Sequence, residues 1–187
     1  MNPLLKIMLS IVFALFVLGA AGAVFTVATV VSAVRAVEAT PERADQVADQ
    51  IVDFTLPAGY GSPAVVDMAG FKLVAFTGAD DHSHLMLGQL RPGVRLDAPT
   101  LEDRIRDAHG YRWNDRPRMA IVGSMPAVIR GQAVTLAIAE GLNHDGDLYR
   151  DLFGVFEGKG GQAAVLISGP VSTWDHDTVG AILVSLQ

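Results

Sequence analysis

Residues 148–168 read LYRDLFGVFEGKGGQAAVLIS, and this stretch indicates the fold of the chain. Two runs rich in apolar residues, 148–157 and 163–168, flank the tetrapeptide Gly158-Lys159-Gly160-Gly161. Short apolar runs of this kind predict β-strands, and glycines adopt the positive φ angles that tight turns between strands require. The stretch therefore predicts an antiparallel hairpin.

Further strands are predicted on the N-terminal side of this hairpin, because short apolar runs there alternate with turn residues. They lie at residues 53–57, 71–76, 84–90, 119–123, 128–130 and 134–140. Clusters of glycine and aspartate at 78–81 and 143–147 predict turns between them. This many strand and turn units predict a mostly antiparallel sheet.

Three helices are predicted in the same part of the chain. Thr40-Pro41-Glu42 combines a hydroxyl N-cap, a proline at the first helical position and an acid near the positive end of the helix dipole. A second helix is predicted from Thr100 to Gly110, and a third follows a sequence at 172–175 that resembles a capping box. The core-facing positions are expected at Ala44, Val47, Ala48 and Ile51, at Leu101, Ile105 and Ala108, and at Val179, Ile182, Leu183 and Leu186.

This order of elements predicts an α+β fold, a mostly antiparallel β-sheet with packed helices. Phe54-Thr55-Leu56-Pro57, the central hairpins, and Ser168-Gly169-Pro170 followed by a helix ending at Ser185-Leu186 resemble the PsbP-like α/β/α sandwich. They also resemble uncharacterised bacterial single-pass membrane proteins that carry a similar domain. The resemblance covers residues 51–187 and rests on element order and short apolar phrases. It implies a binding or assembly-assisting module, although a fold does not determine function.

The first 37 residues differ from the rest of the chain. Residues 7–34 contain no charged residue, and 22 of these 28 are Ala, Val, Ile, Leu, Met or Phe. As a helix they would be about 42 Å long, which exceeds the roughly 30 Å hydrocarbon core of a bilayer. The sequence therefore predicts an N-terminal transmembrane helix in residues 1–37, with residues 7–34 in the lipid bilayer, and a soluble domain at 38–187.

Cleavage of this N-terminal segment and its orientation in the membrane both stay open. The small residues Ala21-Gly22-Ala23 are typical of a cleavage site, so the segment is also compatible with a cleavable signal peptide. If it is a single-pass signal anchor, the short basic leader ending at Lys6 favours a cell-membrane protein whose domain lies outside the cytoplasm, in the cell envelope.

Composition excludes several classes of protein. Residues 38–187 carry 20 acids against 12 Lys and Arg, a net charge of −8, so nucleic acid is not an expected partner. The absence of cysteine excludes disulfides, a thiol nucleophile and a cysteine-based metal site. Ser124 lacks the second glycine of a nucleophile elbow, and the glycines at 158–161 lack the spacing of a dinucleotide or phosphate loop. We therefore assign no catalytic residue and expect no cofactor.

The most suggestive polar cluster is Asp80-Asp81-His82-Ser83-His84. Two imidazoles two residues apart in a strand would face the same side, and with a neighbouring carboxylate they could hold a divalent cation. The alternative is an acidic turn that leads into a solvated strand. The candidate metal ligands are Asp80, His82 and His84.

A second candidate surface lies in residues 91–118, which hold seven of the 12 basic residues of the domain and have a net charge of +2. Arginine beside aromatic residues is typical of surfaces that bind anionic ligands or protein partners. The alternative is a solvated surface with internal salt bridges. The candidate partner- or ligand-binding residues are Arg104, Tyr111, Arg112, Trp113, Arg116 and Arg118.

These observations predict a membrane-tethered, non-enzymatic domain that binds a protein partner or a small ligand at the cell envelope. One alternative is a metal-binding or metal-dependent envelope protein that uses His82 and His84. Another is a structural subunit of a membrane complex.

Overall fold

A computed structural model describes residues 39–68, 70–95, 119–142 and 146–187 of the chain. Two α-helices, seven β-strands and one short 3-10 helix are found in these ranges. In chain order they are α1 (Pro41–Ile51), β1 (Tyr60–Met68), β2 (Phe71–Gly78), β3 (His84–Gln89), β4 (Ala120–Ile129), β5 (Gln132–Leu142), β6 (Leu148–Glu157), β7 (Gln162–Pro170), the 3-10 helix (Val171–Thr173) and α2 (His176–Ser185).

All seven strands form one sheet in the order β1-β2-β3-β7-β6-β5-β4, and every neighbouring pair is antiparallel. The sheet consists of two meanders, β1 to β3 and β4 to β7. They meet where β3 pairs with β7, for example at Leu85 opposite Ile167. This long-range pairing brings segments about 80 residues apart in sequence into contact.

The hairpin predicted between β6 and β7 is confirmed. Glu157 pairs with Gln162, the Gly158 amide donates to the Gly161 carbonyl over 2.8 Å, and Gly161 has a φ of 138°. A second tight hairpin, between β4 and β5, was missed in the sequence. Arg130 and Gly131 have φ angles of 52° and 70°, as a type I′ turn requires, so the strand predicted to end at Arg130 ends at Ile129 instead.

The two helices pack on the same face of the sheet. The prediction for α1 is confirmed: the Thr40 hydroxyl caps it over 3.4 Å, Pro41 is its first residue, and Ala44, Val47, Ala48 and Ile51 are buried. In α2, Val179, Ile182 and Leu183 are buried, as predicted. These residues join strand side chains such as Phe76 and Leu136 in one apolar cluster. We call it the helix-face core.

The opposite face of the sheet holds a smaller apolar cluster among the described residues. It consists of Leu90, Met119, Ala137, Ala139 and Phe153. Because side chains alternate between faces along a strand, these positions are separated from the helix-face core by the sheet itself.

The predicted fold class is wrong in its helical part. The described residues form a single antiparallel sheet with only two short helices, both on one face, and not an α/β/α sandwich. The helix predicted at 100–110 lies outside the described residues. The described residues place no helix on the other face of the sheet, because α1 and α2 both bury their apolar sides in the same cluster.

The prediction of a single-pass membrane protein is likewise not supported. No helix in the described ranges is long and apolar enough to cross a membrane. The two helices have 11 and 10 residues, and about 17 Å of helix falls well short of the roughly 30 Å hydrocarbon core. The predicted transmembrane segment at 7–34 lies outside the described residues.

Two further predictions at the ends of the domain are corrected. Residues 53–57 are irregular, and the strand follows them at Tyr60–Met68, a range that includes Gly61, Ser62 and Pro63 and in which no strand was predicted. A bulge with Ser62 at a φ of 44° accommodates these residues on an edge strand. At the other end, α2 is capped by Asp175, because Ser172 lies in the preceding 3-10 helix.

Candidate functional site

A cleft lies at the end of the sheet where three distant segments meet. They are the start of β1 with the residues before it, the turn between β2 and β3, and the stretch from the end of β7 into α2. The cleft has a volume of about 170 Å³. Its polar and aromatic lining includes Tyr60, Asp80, Ser83, Trp174, Asp175 and Thr178.

Asp80 is held in place by the turn it belongs to. Its Oδ1 accepts hydrogen bonds from the backbone amides of His82 and Ser83 over 3.0 and 2.8 Å, and its Oδ2 accepts one from the Ser83 hydroxyl over 2.7 Å. Gly78 makes room for this arrangement, since a Cβ there would lie 2.9 Å from Asp80 Oδ1. Burial raises the pKa of Asp80, but the hydrogen bonds from Ser83 and His82 outweigh it and lower the pKa.

Asp175 faces the cleft from the N-terminus of α2. Its Oδ2 accepts a hydrogen bond from the Thr178 hydroxyl over 2.6 Å, and its Oδ1 accepts one from the Asp177 amide over 2.9 Å. The hydrogen bond from Thr178 and that from Asp177 hold the pKa of this carboxyl below its usual range. Asp175 is therefore ionised at neutral pH, like Asp80.

Tyr60 is the half-buried aromatic residue that faces both carboxylates. Burial raises the pKa of its phenol, and the negative charges of Asp80 and Asp175 raise it further. Its hydroxyl makes no hydrogen bond within the described part of the chain. Tyr60 therefore presents a neutral phenol to the cleft.

Trp174 forms another wall and already contacts one cation. The Arg150 guanidinium lies 5.4 Å from the centre of its ring, within the range of a cation–π interaction. Arg150 is itself held by Glu140, whose Oε1 accepts hydrogen bonds from Arg150 Nε over 2.8 Å and from Arg150 Nη2 over 2.5 Å. The charge of Arg150 is thus compensated by Glu140.

A row of polar side chains crosses four strands next to the cleft. Thr77, His84, Ser168 and Asp151 are direct cross-strand partners in β2, β3, β7 and β6, so they share a face. We call them the polar row. The Ser168 hydroxyl donates to Asp151 Oδ1 over 2.6 Å, and Asp151 is only 2% exposed. Burial lowers the pKa of His84, although Asp80 and Asp151 oppose this effect.

The polar row brings a serine, a histidine and an aspartate together, but not in the order that nucleophilic catalysis uses. In a catalytic triad the serine donates to the histidine, which in turn donates to the aspartate. Here Ser168 donates to Asp151. The hydroxyl thus stabilises a buried carboxylate.

The predicted metal ligands are only partly brought together. The strand begins at His84, so the exposed His82 lies outside it and the alternation that would align the two imidazoles does not apply. The oxygens of Asp80 accept hydrogen bonds from its own turn. Within the described residues no group of three or more His, Asp or Glu side chains could hold a metal ion. Metal binding by Asp80, His82 and His84 stays a prediction.

The predicted arginine and aromatic surface lies outside the described residues. It comprises Arg104, Tyr111, Arg112, Trp113, Arg116 and Arg118. Its role in binding also stays a prediction.

Sequence reasoning missed the cleft as a site. Asp80 had been grouped with the histidines beside it, and Asp175 had been interpreted only as part of the first turn of a helix. Both local interpretations describe real hydrogen bonds, but neither could show that the two carboxylates face the same tyrosine. No family model matches this chain, and no curated protein matches it either.

Proposed function

We propose that this domain is a binding module and not an enzyme, and that it holds a small ligand, or an exposed group of a protein partner, in the cleft. The observation that carries the proposal is the position of Tyr60, whose neutral phenol faces two ionised carboxylates in the cleft. Aromatic surface with a few convergent polar groups is typical of ligand sites.

The charge states of the cleft favour binding over proton transfer. A general acid or base works best when its pKa lies near the pH of the reaction. In this cleft the pKa values of Asp80 and Asp175 are lowered and that of Tyr60 is raised, so all three move away from neutrality. These groups therefore keep fixed charges and supply a constant field.

The size of the cleft limits what it can hold. Pockets for drug-sized ligands usually measure about 300–1,000 Å³, whereas this one measures about 170 Å³. It therefore suits a compact head group or a single side chain, with any larger remainder of the ligand outside.

A cleft-filling variant tests this proposal on the full chain. Thr173 lines the cleft and Ser172 does not, although both are exposed residues of the same 3-10 helix. We expect a mixed library of small charged and neutral fragments to shift NMR signals of residues 58–60, 78–83 and 167–179. Thr173→Phe should abolish these shifts, and the matched Ser172→Phe should keep them.

The proposal fails if no fragment shifts these signals, or if the shifts survive Thr173→Phe unchanged. Thermal unfolding of both variants checks that each retains the fold.

A further inference from the structure

We infer that the cleft accepts a quaternary ammonium head group of a small molecule. The inference rests on the proposed function, because it specifies the ligand of the same cleft. Two carboxylates that have no Lys or Arg partner among the described residues and two aromatic rings carry it, and they come from segments that only the folded sheet brings together.

The charges that line the cleft favour a cation. Some acids elsewhere in the described residues have basic partners: Asp67 lies 2.8 Å from Arg43 and 3.6 Å from Lys72. Glu140, Glu157 and Asp53 also have Lys or Arg partners. Within the same part of the chain, no Lys or Arg forms an ion pair with Asp80 or Asp175. The two negative charges of the cleft therefore favour a positively charged ligand.

An organic cation suits the cleft better than a metal ion does. A bound metal ion needs several oxygen or nitrogen lone pairs directed at it. Three hydrogen bonds already occupy the oxygens of Asp80, and two occupy those of Asp175. Their negative charge still acts through space, but few lone pairs remain for direct coordination.

The aromatic lining of the cleft favours a quaternary ammonium over a primary one. A primary ammonium has three N–H donors that need acceptors, whereas a quaternary ammonium has none. A quaternary ammonium is stabilised by nearby charge and by the faces of aromatic rings. Tyr60 and Trp174 provide such rings in the lining of the cleft, and the Arg150 guanidinium already lies 5.4 Å from the centre of the Trp174 ring.

The α2 N-terminus does not cancel this negative field. Its first amides carry partial positive charge, which disfavours a cation. The full negative charge of Asp175 lies at the same end and caps it, and Asp177 adds a second acid in the first turn. The charge near the cleft at this helix end is therefore negative.

Titration of the full chain with choline tests the inference. We expect choline to shift the signals of the cleft residues and its neutral isostere, in which carbon replaces nitrogen, to bind at least about tenfold more weakly. Equal binding of the two compounds would overturn the inference, because the cleft would then select shape and not charge. The proposed function would still stand in that case.

Paired charge variants test which acids are responsible. The double variant Asp80→Asn/Asp175→Asn removes both cleft charges while asparagine preserves the turn acceptor and the helix cap. We expect it to bind choline at least about tenfold more weakly than the wild type. The control Asp45→Asn/Asp49→Asn makes the same change in net charge on the exposed side of α1, outside the cleft lining, and it should bind within about twofold of the wild type.

If both double variants lose choline binding equally, the effect is general electrostatics and the inference fails. If choline does not bind while other fragments still shift the cleft signals, the inference also fails but the proposed function survives. If no fragment binds, the proposed function itself fails.

Phosphocholine distinguishes a free ammonium compound from a lipid head group. It carries the same quaternary nitrogen beside a phosphate, which the negative cleft should repel. We expect it to bind more weakly than choline. Tighter binding of phosphocholine would assign the cleft to head groups that contain phosphate and would overturn the inference.

Discussion

The helix-face core and the cleft are built on opposite principles, although the same sheet carries both. In the core, α1, α2 and the strands each contribute apolar side chains at regular spacing, and almost all of these are fully buried. The cleft collects a few half-buried or exposed polar groups from three distant segments. The core therefore supplies stability from many similar contacts, whereas the cleft supplies specific chemistry from a few side chains that the fold holds in fixed positions.

The largest expected effect on the free energy of unfolding comes from comparing a buried and an exposed residue of α2. Ile182 is fully buried in the helix-face core, and Val184, two residues later in α2, is 73% exposed. Ile182→Ala should lower the free energy of unfolding by about 2–5 kcal/mol, because it leaves a cavity in the core. Val184→Ala should change it by less than about 0.5 kcal/mol. Chemical denaturation of both variants measures the difference, and equal effects would contradict the assignment of the buried face.

A substitution in the polar row tests whether a buried polar group stabilises the fold as much as an apolar side chain does. Ser168→Ala removes the hydroxyl that donates to the buried Asp151, and it should cost about 1–3 kcal/mol of unfolding free energy. The control Ser172→Ala removes an exposed hydroxyl and should have almost no effect. If Ser168→Ala is as stable as Ser172→Ala, the polar row does not contribute to the free energy of unfolding.

At Asp175 the comparison can be made within a single residue, because its carboxylate both caps α2 and lines the cleft. Asp175→Ala should cost about 1 kcal/mol through loss of the cap, whereas Asp175→Asn should be nearly neutral because asparagine caps equally well. Both substitutions should weaken choline binding. Thermal unfolding and choline titration of the two variants measure these effects separately. If Asp175→Ala weakens choline binding and Asp175→Asn does not, the affinity depends on stability and not on charge. That result would contradict the role of Asp175 in the cleft.

The smallest effect is a pH dependence that comes from His84. In an unfolded chain histidine titrates at about pH 6.5, whereas burial lowers the pKa of His84 in the folded chain. Between these two pKa values only the unfolded chain binds the proton. The stability that His84 contributes is therefore complete above about pH 6.5 and is lost as the pH falls toward its lower folded pKa.

Unfolding measured at several pH values between neutral and mildly acidic checks this prediction. His84→Gln should flatten the decline in stability, and the control His82→Gln, on the exposed turn, should retain it. A decline that persists unchanged in His84→Gln would show that other groups cause it.

The elements that the sequence predicted well are those whose signals are local. Helix α1 is an example, because its cap, its proline and its apolar spacing all lie within 12 consecutive residues. The hairpin between β6 and β7 is another, since its glycines lie between two obvious strands. Strand β1 was missed because Ser62 and Pro63 indicate a turn, and only an edge position with a bulge makes them compatible with a strand.

The candidate site was much less predictable than these elements. Asp80 was identified as a functional candidate, but it was assigned to a metal site because two histidines follow it in sequence. Tyr60 and Asp175 have no local signal for ligand binding, and 115 residues separate them in the chain. Their proximity depends on the pairing of β3 with β7, which places the turn at Asp80 beside the start of α2.

The sequence by itself determined most strands, the tight turn at 158–161, the caps and buried faces of α1, and the acidic balance of the domain. These features depend on backbone geometry and side-chain spacing among neighbouring residues. Tertiary structure alone decided the strand order, the placement of both helices on one face and the convergence of Tyr60, Asp80 and Asp175. The physical reason is that these contacts join distant segments, whose pairing depends on the free energy of burying the whole sheet and not on any local pattern.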